Sequence, residues 1–360
     1  MLNQHKRCPR SRWVALVVVA LAVGVVAAAA AGCGGDEAAP TEVVLVTHDS
    51  FAVSKPVRQA FERESGFTLR ILQGGDANEV LNRALLTAGD PEADVIFGID
   101  DSVRSRALDG DLLAEYEADG LDALAAGFEA PDPRLTPIDH GEVCLNVDRA
   151  FFADRRIAPP RTLEQLALPR YRNLLVVENP ATSSPGLAFL LATVARFGED
   201  GWQDYWRALR ANGVLAVDGW EQAYTQQFSG ASGSPGKRPI VVSYATSPAA
   251  EVIFAAKPPA TAPTVAIEDG CYRQVEYAGV LNGARNEDGA RALVDFMLSE
   301  RFQADVPKSM FVYPVRAGVE LPKEFVEHAI VPAEPLSLPA DEVAANRDRW
   351  VDEWTAIVVR

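Results

Sequence analysis

The chain has 360 residues, with 34 Lys and Arg against 50 Asp and Glu, which gives a formal net charge of −16 at pH 7. The first 32 residues hold four basic and no acidic residues, so their removal leaves 30 basic residues and a charge of −20. Such an acidic protein has no electrostatic attraction to nucleic acid, which excludes nucleic-acid binding, and it favours a cationic ligand. A diffuse acidic surface that serves only solubility is the alternative.

The first element is an N-terminal signal. Basic residues precede an unbroken apolar run from Trp13 to about Ala31, and small residues then lead to Cys33. This pattern predicts a lipoprotein signal peptide over residues 1–32, with Cys33 acylated. We expect residues 33–41 to tether the protein to the outer face of a bacterial membrane. A plain signal peptide or an uncleaved N-terminal helix are the alternatives.

Strand-like and helix-like segments alternate after the tether, which predicts an α/β fold with doubly wound, mainly parallel sheets. The first cycle consists of Glu42–Thr47, Pro56–Ser65, Thr68–Leu72, Asn78–Thr87 and Asp94–Gly98. The second cycle consists of Glu142–Val147, Leu174–Val177, Gly186–Phe197, Gly201–Ala211, Val214–Val217, Trp220–Phe228 and Ile240–Val242. A strand (Cys271–Leu281) and two helices (Glu287–Leu298, Asp341–Val358) complete the chain.

Two cycles predict two lobes, each with its own doubly wound sheet. We expect lobe 1 to hold residues 42–140 and about 280–330, and lobe 2 to hold 141–275. A C-terminal helix is expected within 335–360. The chain would cross between the lobes near 139–142 and 270–280. Ligands of such sheets bind beyond the carboxyl ends of the strands, which here would face an interlobe cleft.

Cys144 and Cys271 remain after the signal region, in a compartment where disulfides persist. Each follows a glycine-containing turn and opens a strand-like run, and we expect them to form a disulfide. Two buried free thiols are the alternative. Neither these cysteines nor the four histidines have metal-binding spacing.

Candidate ligand-binding residues are aromatic, hydroxyl-bearing or acidic and fall near the predicted strand ends. Aromatic faces attract planar and cationic ligands. Thr182 and Ser183 precede an apolar helix whose free N–H groups would hold a phosphate or hydroxyl, although a simple helix cap is the alternative reading. The other candidates are Trp220, Tyr224, Tyr244, Phe311, Asp76 and His48, each of which has core packing, a cap or a turn as its structural alternative.

No pattern typical of an enzyme is present. Gly-Ala-Ser-Gly within Ser229–Pro239 lacks the spacing of a nucleophile elbow, and we interpret this segment as a flexible surface loop. No glycine-rich phosphate loop precedes a Lys-Ser or Lys-Thr pair. A secreted hydrolase or a lipoprotein scaffold without a small ligand are the remaining alternatives from other functional classes.

Several motifs resemble periplasmic thiamine-binding proteins, in order over roughly residues 42–357. Their combination is more specific than any single motif. In the first half they are Thr47-His48-Asp49-Ser50-Phe51, Leu81-Asn82-Arg83, Ala93-Asp94-Val95, Gly98-Ile99-Asp100 and Asp139-His140-Gly141. In the second half they are Thr182-Ser183-Ser184-Pro185-Gly186-Leu187, Gly219-Trp220-Glu221-Gln222-Ala223-Tyr224, Ser243-Tyr244-Ala245-Thr246-Ser247-Pro248 and Tyr313-Pro314-Val315.

This resemblance implies a two-lobe periplasmic-binding-protein fold (type II) and a monomer that delivers thiamine or its phosphates to an ABC permease, without a cofactor. It places Asp76, Ser183, Trp220 and Tyr244 at the ligand, with Thr182 and Tyr224 beside them. The chain departs from the family at four positions that often carry aromatic residues, namely His48, Lys55, Ala250 and Phe311. Another small cationic or phosphorylated solute is therefore the alternative ligand.

Overall fold

A computed structural model describes residues 41–360. The predicted signal and tether, with Cys33, lie outside the described residues, apart from Thr41. Nine strands occur between residues 41 and 360. They are β1 (Glu42–Thr47), β2 (Thr68–Gln73), β3 (Val95–Asp100), β4 (Thr136–Asp148), β5 (Leu175–Glu178), β6 (Leu215–Val217), β7 (Ile240–Tyr244), β8 (Thr264–Val280) and β9 (Tyr313–Pro314).

Twelve α-helices occur between residues 41 and 360. The described α-helices are α1 (Lys55–Ser65), α2 (Ala77–Leu86), α3 (Arg104–Asp109), α4 (Arg149–Arg155), α5 (Ser184–Phe197), α6 (Trp202–Ala211), α7 (Ser247–Ile253), α8 (Glu287–Leu298), α9 (Glu300–Gln303), α10 (Val306–Ser309), α11 (Lys323–His328) and α12 (Ala340–Val358). A π-helix spans Gln222–Gln227. Over residues 41–360, we find no helix with the length and apolarity needed to cross a bilayer.

The strands pair in the order β2-β1-β3-β8-β4-β7-β5-β6, with β9 on β4. Parallel pairing joins β2, β1 and β3 at one end and β7, β5 and β6 at the other. The antiparallel pair β4 and β8 connects these two parallel groups. Parallel strands joined by helices bury both sheet faces, and β3 is accordingly buried at every position.

The long strands β4 and β8 lie where the sequence predicts crossovers between lobes. The start of β4 pairs with the end of β8 near β3, whereas its end pairs with the start of β8 near β7. β8 therefore pairs with β3 of the first parallel group, and β4 pairs with β7 of the second. This arrangement fits two lobes joined by strands, and the lobe limits of 42–140 with 280–330 and of 141–275 stay predictions.

A disulfide joins Cys144 of β4 to Cys271 of β8. It lies beside an irregularity in the pairing, between Val143 and Leu145, where the register of the two strands shifts. Both cysteines are buried. The disulfide therefore ties together the two connecting strands at the point where their ladder is interrupted.

The helices with a strong apolar period have the predicted limits. The prediction for Glu287–Leu298 agrees at both ends, and the C-terminal helix begins one residue earlier than predicted, at Ala340. Trp350 and Trp354 are fully buried, and the ring of Trp354 lies 5.4 Å from that of Trp206. Spacing of four residues places both indoles on the face of α12 that packs against α6.

Candidate ligand-binding cavity

A cavity of about 530 Å³ lies near the ends of β1 and β7 and the beginnings of α2 and α5. Its lining combines aromatic rings with carboxyl and hydroxyl groups. The aromatic residues of the lining are Trp220, Tyr224, Tyr244, Phe254 and Phe311, and the acidic residues are Asp76, Glu221, Glu251 and Glu276. Among the lining residues of the described chain there is no Lys or Arg. A cation with aromatic rings therefore matches this surface, because its rings can stack on the aromatic residues and its charge is attracted by the carboxyl groups.

A pair of stacked aromatic rings forms one wall. Trp220 and Tyr224 have ring centroids 5.0 Å apart and planes inclined by 16°. The indole N–H of Trp220 donates a hydrogen bond to Ser243 Oγ at 2.8 Å, at the end of β7. Trp220 lies two residues before the π-helix, a rare element that often occurs at functional sites. The stack and the hydrogen bond together fix the orientation of the indole.

Glu251 on α7 holds the second ring of this wall. The Tyr224 hydroxyl donates to Glu251 Oε1 at 2.8 Å. The other carboxylate oxygen accepts from the backbone N–H and the hydroxyl of Ser232, at 2.8 and 2.7 Å. Ser232 belongs to the segment that the sequence predicts to be a flexible loop, and Ala231 beside it is buried. The loop is therefore attached to the cavity wall through Glu251.

Asp76 connects distant backbone segments beneath the cavity. It is the N-cap of α2 and accepts from the Ala77 N–H at 2.7 Å. It also accepts from the N–H groups of Trp220 at 2.9 Å and Ser184 at 3.3 Å, which belong to other segments. Burial raises the pKa of Asp76 to about 6, although these hydrogen bonds act in the opposite direction. At neutral pH the carboxylate is thus mainly ionised, and it supplies negative charge to the cavity.

A second acidic group comes from the connecting strands. Glu276 on β8 lines the cavity, and it pairs in register with the fully buried Asp139 on β4. Burial raises the pKa of both carboxyl groups, and the charge of Asp139 raises that of Glu276 further. Two adjacent buried carboxyl groups favour a state in which at least one holds a proton. A cation at Glu276 would favour release of that proton.

His48 is a buried residue of the cavity lining. Its Nδ1 lies 2.8 Å from Ser50 Oγ, and its ring lies 5.6 Å from that of Phe97. Burial lowers the pKa of His48 to about 4, because the charged imidazolium loses hydration. His48 therefore contributes a neutral, aromatic surface to the cavity at pH 7.

The structure brings most of the predicted ligand residues together. His48, Asp76, Trp220, Tyr224, Tyr244 and Phe311 all line the cavity. Thr182 and Ser183 lie beside it, and the next residues, Ser184 and Pro185, form the lining instead. The Ser183 hydroxyl is buried and caps α5 by accepting from the Gly186 N–H at 3.4 Å. Ligand contact by these eight residues stays a prediction.

The sequence pattern does not identify several residues of the cavity lining. Glu251, Phe254 and Glu276 are far apart in the chain and belong to no local motif. The apolar run around Glu276 predicts a strand, but the side of the strand that meets the cavity depends on its pairing with β4. Phe254 follows α7, a short helix that the sequence analysis does not predict.

Metal binding has no structural support in the part of the chain that the structure describes. Among residues 41–360, no three His, Cys, Asp or Glu side chains group in a way that would hold a metal ion. The carboxyl groups of the cavity instead bond to backbone N–H and side-chain hydroxyl groups.

The mixed sheet, with a parallel group of strands at each end, and its aromatic and acidic cavity agree with the class of protein that the family comparison shows, a solute-binding protein. The model of the bacterial extracellular solute-binding protein family matches residues 90–346. The thiamine-binding periplasmic protein of Salmonella typhimurium is 30% identical over 91% of this chain and 97% of the relative. The thiamine-binding periplasmic protein of Escherichia coli is 30% identical over 88% of this chain and 94% of the relative.

A solved structure, titled periplasmic thiamin binding protein, superposes with a TM-score of 0.79 and 28% identity over 91% of this chain and 98% of that one. The chain belongs to the periplasmic thiamine-binding protein family of extracellular solute-binding proteins. The predicted two-lobe binding-protein fold is confirmed by this match. The relatives are binding proteins rather than enzymes, in agreement with the sequence analysis.

Proposed function

We propose that this protein binds thiamine or its phosphates outside the cytoplasm and delivers them to an ABC permease. The observation that carries the proposal is the cavity lining, which holds five aromatic rings and four carboxyl groups without a Lys or Arg. Thiamine contains two aromatic rings, and its thiazolium ring has a permanent positive charge. Stacking on Trp220 and attraction to Asp76 and Glu276 are the interactions that we expect to hold it.

A phosphorylated form would extend toward α5. Ser184 and Pro185, in the first turn of this 14-residue helix, line the cavity. The first N–H groups of a helix attract anions. In this structure the Ser184 N–H donates to Asp76 and the Gly186 N–H donates to Ser183, so the anionic end of thiamine phosphate would have to replace these bonds. Closure of the two predicted lobes around the β4 and β8 crossovers would enclose the ligand, because the closed state binds it more tightly.

Isothermal titration calorimetry tests this function directly. We expect saturable binding of thiamine, and titrations with thiamine phosphate and diphosphate rank the three forms. Absence of binding by all three compounds contradicts the proposal. Mass spectrometry of a ligand retained through purification would then identify another cationic or phosphorylated solute. The side chains of Ala250 and Phe311, which are smaller than the aromatic residues that the family often carries there, would favour such a ligand.

The affinity for thiamine is expected to increase with pH. Burial raises the pKa of Asp76 to about 6 and raises that of Glu276 well above its usual range. These groups lose protons as the pH rises, and only their ionised forms attract the thiazolium ion. We expect about 10-fold tighter binding at pH 7.5 than at pH 5.5, which corresponds to the release of about half a proton on average over these two pH units.

Calorimetry at both pH values measures this dependence, and titration in buffers of different ionisation enthalpy counts the released protons. Glu276→Gln is the matched control, because an amide of nearly the same shape does not titrate. We expect a smaller pH dependence in this variant. An affinity that is unchanged or decreases between pH 5.5 and 7.5 contradicts the electrostatic role.

The predicted lipoprotein signal places the protein at the outer face of a bacterial membrane, anchored through Cys33. An acyl group on Cys33 would keep the binding protein close to its permease. Cys33→Ala is expected to abolish incorporation of labelled palmitate and to release the protein from the membrane fraction. Equal labelling of the wild type and the variant would contradict the anchor. The monomeric state is tested by light scattering on the released form.

A further inference from the structure

Phe254 is an exposed aromatic residue at the edge of the cavity. Its side chain is 67% exposed, and it is the only aromatic residue among the strongly exposed large hydrophobic residues of the described chain. It also belongs to the cavity lining. Exposure of a phenyl ring to water forgoes the free energy that burial would provide. A ring in this position therefore suggests a partner that covers it.

The backbone of Phe311, whose ring lies next to that of Phe254, adopts an unusual conformation. Its φ angle of 59° lies in the left-handed region, which is rare for residues other than Gly, Asn and Asp. The hydroxyl of Thr246 donates to the Phe311 carbonyl and supports this conformation. Residues held in such conformations concentrate at ligand-binding sites. The conformation directs the ring of Phe311 to 4.7 Å from that of Phe254.

The α7 helix carries a residue of the aromatic wall described above and is followed by Phe254. Glu251 lies on α7, three residues before Phe254, and both residues line the cavity. Glu251 in turn binds the hydroxyl of Tyr224, which stacks on Trp220. The cavity lining therefore holds two pairs of aromatic rings together with a carboxylate on α7. This combination matches a ligand with two linked rings and a positive charge on one of them.

We propose that Phe254 contacts the ligand: with Phe311 it forms an aromatic clamp at the rim of the cavity, which closes over one ring of a bound aromatic cation. The inference rests on the proposed function, because thiamine is the two-ring cation concerned. Phe254 lies outside the sequence motifs described above. A rim residue of this kind retards escape of the ligand more than it affects entry, so its contribution falls mainly on the dissociation rate.

Phe254→Ala is expected to weaken thiamine binding about 10-fold, the size of one aromatic contact with a cation. Stopped-flow fluorescence should show the change as faster dissociation, with the association rate altered less than threefold. Phe254→Tyr should keep nearly full affinity, and Phe254→Leu, which keeps apolar area without a π face, should lose several-fold. Leu86→Ala, at an 86% exposed residue outside the cavity, is the control and should bind as the wild type does.

Thermal unfolding without ligand separates ligand contact from structural effects. The melting temperature of Phe254→Ala should equal that of the wild type, because an exposed side chain contributes little to stability. Wild-type affinity in Phe254→Ala would overturn the clamp and leave the proposed function intact. Equal affinity of the Leu and Tyr variants would overturn the aromatic character of the contact. A wild-type protein that does not bind thiamine would overturn the proposed function, and the clamp with it.

Discussion

Trp220→Ala is expected to weaken thiamine binding about 100-fold. The indole contributes a stacking face and a cation–π surface, together worth about 2–4 kcal/mol in a site shielded from water. Each 1.4 kcal/mol corresponds to a tenfold change in the dissociation constant. The substitution also removes the support of Tyr224, whose ring stacks on Trp220 at 5.0 Å.

The position of Trp220 explains why the expected loss exceeds that for a rim residue. Its indole N–H is bonded to Ser243, and its backbone N–H is bonded to Asp76. Both bonds fix the ring before a ligand arrives, so that little side-chain entropy is lost on binding. Phe254, in contrast, is mostly exposed, and its ring has no hydrogen bond to restrain it.

Calorimetry on Trp220→Ala and Trp220→Phe measures the effect and separates its parts. The Phe variant keeps a stacking ring and loses the bond to Ser243, and we expect it to lose about 10-fold in affinity. A melting temperature close to that of the wild type would show that the unliganded fold is preserved. Binding by Trp220→Ala as tight as wild-type binding would remove the stacking role of the indole.

The sequence predicts long, periodic elements well because their own residues determine the apolar face. The limits of α8 agree exactly for this reason. β4 begins at Thr136, six residues before the predicted strand. The prediction starts too late because Pro137 and the polar pair Asp139-His140 interrupt the apolar pattern of the sequence. Their burial depends on pairing with β8, more than 130 residues away, and a local pattern contains no information on that pairing.

The aromatic candidates of the cavity follow from the sequence, but most of its acidic chemistry does not. Trp220 and Tyr244 belong to motifs next to strand ends, whereas Glu251 and Glu276 become lining residues only through tertiary contacts. The predicted helix over Trp220–Phe228 is a π-helix in its central part, with a wider turn than the sequence period indicates. The beginning of α5 shows a similar limit of prediction. The sequence predicts Ser183 as a ligand residue, but Ser183 caps the helix, and Ser184, one residue later, lines the cavity.

Removal of the disulfide in a Cys144→Ala/Cys271→Ala variant is expected to lower the free energy of unfolding by about 3–5 kcal/mol. The two cysteines are 127 residues apart in the sequence. The bond between them therefore closes a long loop and strongly restricts the unfolded chain. For a chain of this size, the change corresponds to a decrease of about 5–8 °C in melting temperature. Calorimetry or urea unfolding of the oxidised wild type and the double variant measures the difference.

The same disulfide should resist reduction in the folded protein, because both cysteines are buried and a reducing thiol must reach a sulfur atom. We expect mild reductant to leave the melting temperature unchanged, and reductant with denaturant to produce the stability of the double variant. The ligand affinity of the variant is the further readout. Cys144 and Cys271 join the two strands that carry Asp139 and Glu276, so a loosened ladder would alter the position of the acidic pair. Equal stability of the variant and the oxidised wild type would show that the pairing of β4 and β8 alone holds these strands together.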